Sequence, residues 1–373
     1  MPGNGSTAPT GKRTQPRGVD PGCRPDPSGR RHVTPTPSRS CCNVTVPLSV
    51  LDLATVDRGT EIGDALHQTV AVARRAEELG YRRVWYAEHH NMKSIASSAT
   101  SVLIAHVAAH TSTIRLGAGG VMLPNHSPLT IAEQFGTLAS LHPGRIDLGL
   151  GRAPGTDQVT LLQALRRDHQ AADTFPQDVQ ELQGFLTGES RISGVDAFPG
   201  KGTNVPLYIL GSSLYGAQLA ALLGLPYGFA SHFAPDALEQ AVAIYRQRFR
   251  PSEQLAEPHV IAGVNVIAAP SEEEALELQL RTRRRRLARF LVPGRDLSDD
   301  EADTLLASPQ GQQVLGMMRY TATGSPEAVR EYLDWFADHA SADELIVVHS
   351  APTAETRLRS LELTAAAAEL QPT

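Results

Sequence analysis

The chain has 373 residues, 41% of them hydrophobic and 20% charged, with a formal net charge of −6. That length and composition can bury a large core and would allow one domain or two. The acidic balance gives no reason to expect nucleic acid or an anionic membrane as partner, and no apolar run reaches the roughly 18 to 20 residues needed to span a bilayer.

Residues 1–45 are crowded with Pro, Gly, Ser, Thr and Arg and hold almost no large apolar side chains. Such a segment cannot bury enough surface to offset its ordering entropy. It carries seven Lys or Arg against two Asp, a net of +5. Of the 34 basic and 40 acidic residues in the chain, this leaves 27 and 38 beyond it, a net of −11. All three cysteines, Cys23, Cys41 and Cys42, lie here, which excludes a catalytic thiol or a disulfide from the remainder. A secretory signal would need an apolar stretch of roughly 7–15 residues, which is missing. A metal site from Cys23, His32, Cys41 and Cys42 lacks a recognisable finger spacing. The expectation is a disordered extension over 1–45 and one folded domain over 46–373.

From Pro47 onward, strand and helix patterns alternate, which argues for parallel βα units. Leu48–Leu53 is a short apolar strand. A helix from about Asp64 to Leu79 follows, with Leu66, Val70, Ala73, Ala76 and Leu79 at helical spacing and Gly80 as its stop. Strand two is Arg83–Ala87, with a helix over Ser97–His110. Strand three is Ile114–Val121. Ser127 and Pro128 open the next helix as N-cap and first helical residue, and it ends before Pro143. Strand four is Ile146–Leu150; Thr156–Gly188 reads as mainly helical and Arg191–Asn204 as a polar loop insertion. Strand five is Leu207–Leu210, with a helix over Tyr215–Leu223. Strand six is Tyr227–Ala230, with a helix from Pro235 to about Phe249. Strand seven is Val260–Ala268, followed by a helix over Ser271–Ala288. A helix begun at Ser325 leads to strand eight, Glu344–Val348, and a final helix runs through Thr356–Leu370.

Eight such units predict an α/β fold of the (β/α)8 TIM-barrel class in a single domain. One stretch, Phe290 to about Thr323, is too long for an ordinary connection and is read as an insertion between strands seven and eight. The nearby Arg281–Arg286 run reads as a solvated helix face paired with Glu272–Glu277 one or two turns earlier. In a parallel barrel all strand C-termini meet at one mouth, where the chemistry sits. Glu88, His89, Gly119, Gly120 and Arg152, far apart in sequence, should therefore converge.

Four segments carry a resemblance: Ala87–His90 (Ala-Glu-His-His), Gly117–Pro124, His142–Arg152, and Pro206–Ser213 followed by Gly216–Ala220. In this order they resemble the bacterial luciferase-like flavin monooxygenases, from about Val46 to the C-terminus. Luminescent luciferases carry a cysteine where this chain has Gly151 and a glutamate where it has Ser212, so the standalone oxygenases are the better match. Val44–Pro47 is similar to a family N-terminus, which implies initiation at a valine codon there. The resemblance also implies a mobile lid over Phe290–Thr323, beside the plainer reading of a surface insertion without catalytic effect.

A flavin needs a phosphate grip, a flat apolar slot and control of charge around its ring. Ser212 and Ser213 lie between strand five and a helix, where hydroxyls and free helix-start amides, Gly216 included, suit a dianion. Arg152, from the neighbouring strand end, adds a charge-assisted contact. The plainer alternatives are a helix cap and a rim ion pair. Gly117, Gly119 and Gly120 permit close approach of backbone to a ring, as would a simple strand-end bulge. The resemblance implies a non-prolyl cis peptide between Gly119 and Gly120. It also selects His89, rather than His90, as the proton-handling group, with Glu88 to orient it or to act in its own right. Ser231, His232 and Phe233 close strand six, where they line a substrate pocket or simply fill the rim.

The function implied is that of a two-component monooxygenase: reduced FMN from a separate flavin reductase, dioxygen, and a small organic substrate. No Rossmann fingerprint for a second nucleotide is visible. Two alternatives stay open: a deazaflavin-dependent hydride-transfer enzyme on the same barrel, and a non-catalytic flavin-binding subunit. The family tendency implies a homodimer through helices of the N-terminal half. A cytoplasmic location is expected, with no metal.

Overall fold

The computed structural model describes residues 46–372. The expectations for 1–45, including the Cys23, His32, Cys41 and Cys42 grouping, lie outside the described residues. Eight parallel strands close into a barrel: β1 (Leu48–Asp52), β2 (Arg83–Tyr86), β3 (Arg115–Met122), β4 (Ile146–Gly151), β5 (Leu207–Gly211), β6 (Tyr227–Phe229), β7 (Val260–Ala268) and, as the eighth, β9 (Glu344–His349). β9 lies between β7 and β1, and the β6–β7 pairing completes the ring. A short strand, β8 (Thr321–Gly324), lies outside the ring and pairs only with the far end of β7, Asn265–Ala268.

Helices α1 (Ile62–Leu79), α2 (Thr100–Ala108), α3 (Pro128–Leu141), α4 (Phe175–Thr187), α5 (Leu214–Leu223) and α6 (Leu238–Arg248) connect successive strands; α10 (Pro326–His339) and α11 (Ala354–Ala367) flank β9. Their apolar faces bury against the outside of the strands, as Ala73, Ile104, Phe135 and Phe336 show, each without exposed surface. Gly80 stops α1 in the left-handed conformation, φ 86°, and donates back to Ala76 and Glu77. Ser127 takes the N-cap backbone geometry of α3, but its hydroxyl makes no cap bond. Pro128 at the first helical position, whose missing N–H would have been an orphan, does that work instead. Thr156–Gly188 is helical only in part, with a single π turn at Thr160–Ala164 and a 3-10 turn at His169–Ala172 before α4.

Two layers fill the barrel interior. At the N-terminal face, Arg83 is buried among charges. Its Nη1 donates to Asp147 Oδ2 and to Tyr208 Oη at 2.7 Å each, and its Nη2 to Glu344 Oε2 at 3.1 Å. Arg115 also pairs with Asp147, and Ser49 donates to Glu344. Above this floor sits an apolar plug of Leu51, Trp85, Ala87, Tyr208, Ile261, Ile346 and Val348, with Leu53 and Leu210 against it.

The segment between β7 and α10 departs from the expected plan. Helix α7 (Glu272–Leu291), α8 (Asp299–Leu306) and α9 (Pro309–Gly316) all precede β8, and α10 is the return helix of the β7 unit. α7 runs across the strand C-termini instead of returning outside the barrel. Thr282 Oγ1 donates to Ser350 O at 3.0 Å, Arg285 to Pro352 O, and Arg289 Nη1 to Ser94 Oγ at 3.2 Å, so α7 crosses the loops after β9 and β2. The insertion therefore begins at Ser271, not at Phe290. It leaves and rejoins the rim at neighbouring residues, Ala268 opposite Gly324. The arginine run is only partly a solvated face. Arg281 pairs with Glu277 as expected, but Arg284 pairs with Asp299 and Asp303, and Arg285 approaches Asp57.

Candidate active site

Side chains alternate along an extended strand, and β2 carries that alternation past its end. Trp85 and Ala87 belong to the interior plug, whereas Val84 and Tyr86 pack outward among the helices. His89 continues the inward set and Glu88 and His90 the outward one. Of the two neighbours, His90 is bonded to Glu88 and His89 is not. His89 Nδ1 is buried without a hydrogen-bond partner. Burial lowers its pKa, with the Arg289 charge acting in the same sense; the Gly155 carbonyl and the Glu88 charge oppose them without prevailing. The imidazole is neutral at neutral pH and available to accept a proton.

Glu88 does not orient His89. Its Oε1 accepts from His90 Nε2 and His126 Nε2, both at 2.8 Å, and its Oε2 accepts from Met122 N at 3.1 Å. Burial, the largest single influence, would raise its pKa. The bonds from His126 and His90, the His126 charge and the Met122 amide together outweigh it and hold the carboxyl at about 2. Glu88 therefore ties the loop after β2 to the end of β3. The ligand atoms of Glu88, His90 and His126 lie within 4.8 Å of one another, a spacing that could also hold a cation. As it stands, each histidine already has its hydrogen bond to the carboxylate. His126 had no motif to single it out; only the fold brings it to Glu88.

The Gly119–Gly120 peptide is cis, and the β3–β4 register shifts between Ala118 and Val121. The glycines are required by packing inside the protein itself. A Cβ on Gly119 would stand 2.9 Å from Leu51 Cδ1 and Trp85 Cβ, and one on Gly120 would stand 2.6 Å from Leu210 Cδ1 and 2.7 Å from Gly149 O. β3 thus bends at the mouth with bare backbone over the apolar plug.

At the ends of β4 and β5 the candidate phosphate grip assembles. Ser213 has the N-cap conformation of α5, φ −135° and ψ 163°, and its hydroxyl makes no cap bond. The first-turn amides of α5 are left without side-chain acceptors, and Gly216 is buried against Tyr227, whose hydroxyl donates to Ser213 O at 3.1 Å. The Arg152 guanidinium lies over the Tyr215 ring at 4.4 Å, which places it beside the same helix start. Its Nε donates to Ala172 O at 3.2 Å, and Asp173 lies 3.9 Å from its Nη2. A cavity of about 180 Å³ opens next to Arg152, lined in part by Asn125, Pro154, Leu161 and Ala172. Ser212 precedes Ser213 at the same strand end. The expected set of Arg152, Ser212, Ser213 and Gly216 is therefore gathered at one end of the mouth.

His232 lies over the interior. Its Nδ1 fills the space where Gly263, on the inner face of β7, would carry a Cβ. Asn265 Nδ2 holds its carbonyl at 2.6 Å, and Ser231 Oγ donates to Gly263 O at 2.6 Å. Burial, then the charge of Arg286, then His89, push its pKa down to about 3, so it too is a neutral imidazole. Arg286 and Arg289, one turn apart on α7, complete this face. Sequence reasoning placed the arginine run in solvent. The signal that could have corrected it is the lack of an acidic residue one turn before Arg286 or Arg289, Thr282 and Arg285 standing there instead.

The chain is similar in sequence and in fold to known proteins. The family model described as luciferase-like monooxygenase matches residues 46–341. A luciferase-like monooxygenase of Escherichia coli (strain K12) is 46% identical over 86% of this chain and 96% of its own length. The N-acetyl-S-alkylcysteine monooxygenase of Bacillus subtilis (strain 168) is 37% identical over 62% of this chain and 70% of its own length. Among solved structures, apo-MsnO8 superposes with a TM-score of 0.79 at 36% identity, covering 88% of this chain and 99% of that one. The fold alone is shared with two cofactor-using enzymes. One is the oxygenating constituent of 3,6-diketocamphane monooxygenase of Pseudomonas putida in complex with FMN (TM-score 0.65, 17% identity, 86% of this chain and 96% of that one). The other is a coenzyme F420-dependent tetrahydromethanopterin reductase of Methanopyrus kandleri (TM-score 0.64, 16% identity, 86% and 97%).

Proposed function

Since the chain belongs to the luciferase-like monooxygenase family, we propose that it is a two-component enzyme that binds reduced FMN made by a separate reductase and uses dioxygen to oxygenate a small organic substrate. The observation that carries this reading is the juxtaposition at adjacent strand ends of Arg152, stacked on Tyr215, with the uncapped start of α5 at Ser213. Free amides, a hydroxyl and a planar cation at one point suit a phosphate dianion. From there, bare backbone at Gly119 and Gly120 leads over an apolar plug to a neutral His89, a route that fits a long planar group. Bound there, reduced FMN would supply the chemistry with dioxygen.

The protein's part is to hold and to insulate. Arg152, Ser212, Ser213 and the Gly216 end of α5 anchor the phosphate. The plug of Leu51, Trp85, Ile261 and Ile346 excludes water below the ring. His89 Nδ1, buried and without a partner, takes or returns the proton that oxygen transfer requires. Because its pKa lies below the ordinary 6.5, the accepting form persists to lower pH, and the acid limb of the rate profile should fall below that value.

Anaerobic titration with reduced FMN, oxidised FMN and deazaflavin tests the reading. Binding of reduced FMN, weakened roughly 10- to 100-fold in Arg152→Gln as expected for a charge-assisted contact, supports it. Tight binding of the deazaflavin alone overturns it in favour of hydride transfer. His89→Ala should retain FMN binding and lose about 10²-fold or more in turnover; a variant matching the parent in every assay would mark a non-catalytic subunit. A homodimer and a cytoplasmic location belong to the same proposal, the latter because the reductase must be at hand. Among the described residues no helix is long and apolar enough to cross a membrane.

A further inference from the structure

Along α7 the arginines are of two kinds. Arg281, Arg284 and Arg285 each reach an aspartate or glutamate, whereas Arg283, Arg286 and Arg289 have no carboxylate partner among the described residues; of these, Arg286 and Arg289 are the ones set beside the mouth. These two stand at i and i+3, hence on one helix face, with the Phe290 ring 5.6 and 5.9 Å from their guanidinium carbons. That face is turned to the mouth: Arg289 bonds Ser94 in the loop after β2, and the pair lies close enough to act on His89 and His232. Arg286 Nε is buried and makes no hydrogen bond.

Arg289 is exposed at the rim, but Arg286 is part-buried with its Nε inside, and an uncompensated cation there is costly and persists only where something offsets it. Beyond the Phe290 ring, no carboxylate among the described residues does. Glu88, the nearest candidate carboxylate in the sequence motif, is turned outward and held by His90 and His126. Asp57 is taken by Arg357, at 3.0 Å through two nitrogens. The two imidazoles beside the pair are neutral. The phosphate grip is at the ends of β4 and β5, with its own cation, so this second positive locus needs a different anion.

We propose that Arg286 and Arg289 form an anion-recognition site for the carboxylate of the substrate, so that the enzyme acts on small organic acids whose reacting end reaches the His89 side of the mouth. The proposal rests on the monooxygenase reading for the word substrate but not for the binding site itself. Two guanidiniums on one face present planar donor forks that match a carboxylate, which a neutral amide cannot replace. Placing the carboxylate under α7 would also fix how far the rest of the molecule extends across the barrel.

The test uses the full chain without flavin and straight-chain carboxylates from butanoate to decanoate, each against its primary amide, read by thermal shift and by calorimetric titration. Carboxylates should stabilise the protein and amides should not. Arg286→Gln should weaken carboxylate binding by roughly 10- to 100-fold, the range of hydrogen bonds to charged groups, and Arg286→Lys should recover only part of it. The variant should melt no lower than the parent, since an unpaired buried cation has been removed, which separates lost binding from lost folding. Reduced FMN binding should be the same in Arg286→Gln and parent. Amides that bind as well as carboxylates overturn the proposal, as does unchanged carboxylate affinity in Arg286→Gln. Loss of reduced FMN binding in that variant overturns it too, by assigning the arginines to the cofactor. Failure of the parent to bind FMN while carboxylate discrimination holds would sink the flavin reading and leave this site standing.

Discussion

Glu88 is a single residue on which two readings of one motif part ways. With its carboxyl at about 2 against an ordinary 4.5, it binds its proton more weakly folded than unfolded. Its contribution to stability is therefore complete above about pH 4.5 and drains away as the pH falls towards 2. In urea titrations between neutral and acid pH, Glu88→Gln should show a shallower acid decline than the parent. It should also lose ~1–3 kcal/mol at neutral pH, where two part-buried histidine donors are left with a poorer acceptor. Parallel declines would mean that other carboxylates set the acid limb. At this scale the motif drew attention to Glu88, His89 and His90. It could not say which of them share a face, because strand alternation assigns faces only once a register is known. His126 came to Glu88 through β3 and the turn after it, a contact no local spacing announces.

At the scale of elements, β3 shows how little room the mouth has. Gly119→Ala would drive a methyl into Leu51 and Trp85, an overpacking cost of ~1–3 kcal/mol, visible as a lower melting temperature. A variant as stable as the parent would show that the plug can move aside. The barrel strands were legible because buried parallel strands read as short apolar runs between glycine-rich and polar loops, and β7 was placed to the residue. β8 was not, since four residues reading Thr-Ala-Thr-Gly inside a long insertion carry no period. α7 was recognised as a helix but assigned the wrong place. A 3.6-residue period reports that one face is covered and is silent on whether the cover is the outside of a barrel or the rim of its mouth. α7 hides four residues, Ala275, Leu278, Thr282 and Leu287, as many as the return helix α1 does, so its burial does not tell the two positions apart either.

The whole molecule divides its charges by end. The N-terminal face locks Arg83 between Asp147, Glu344 and Tyr208, at the end of such barrels that serves stability and not chemistry. Arg83→Met should leave the buried Asp147 and Glu344 with only their more exposed arginine partners, Arg115 and Arg82, and cost ~3–5 kcal/mol, with little change in FMN affinity. A variant equally defective in cofactor binding would connect the two ends. The outer surface carries a third feature: Ile62, Val102 and Leu141 are 59%, 69% and 66% exposed on α1, α2 and α3. We place the proposed homodimer contact there, and Val102→Asp should shift the sedimenting species towards monomer; an unchanged mass would put the contact elsewhere.

The pairing of Ala268 with Gly324 has a consequence for how such a molecule diversifies. A segment of more than fifty residues sets out and comes back at touching points on the rim, so exchanging it strains neither the barrel nor the chain ends. Whatever α7 recognises can then be inherited separately from whatever the barrel does, as a cartridge is swapped in an unchanged instrument. A chimera carrying a relative's segment in place of residues 271–323 should melt and bind FMN as the parent does while accepting a different set of molecules; a chimera that loses FMN binding would show that cartridge and instrument are one piece.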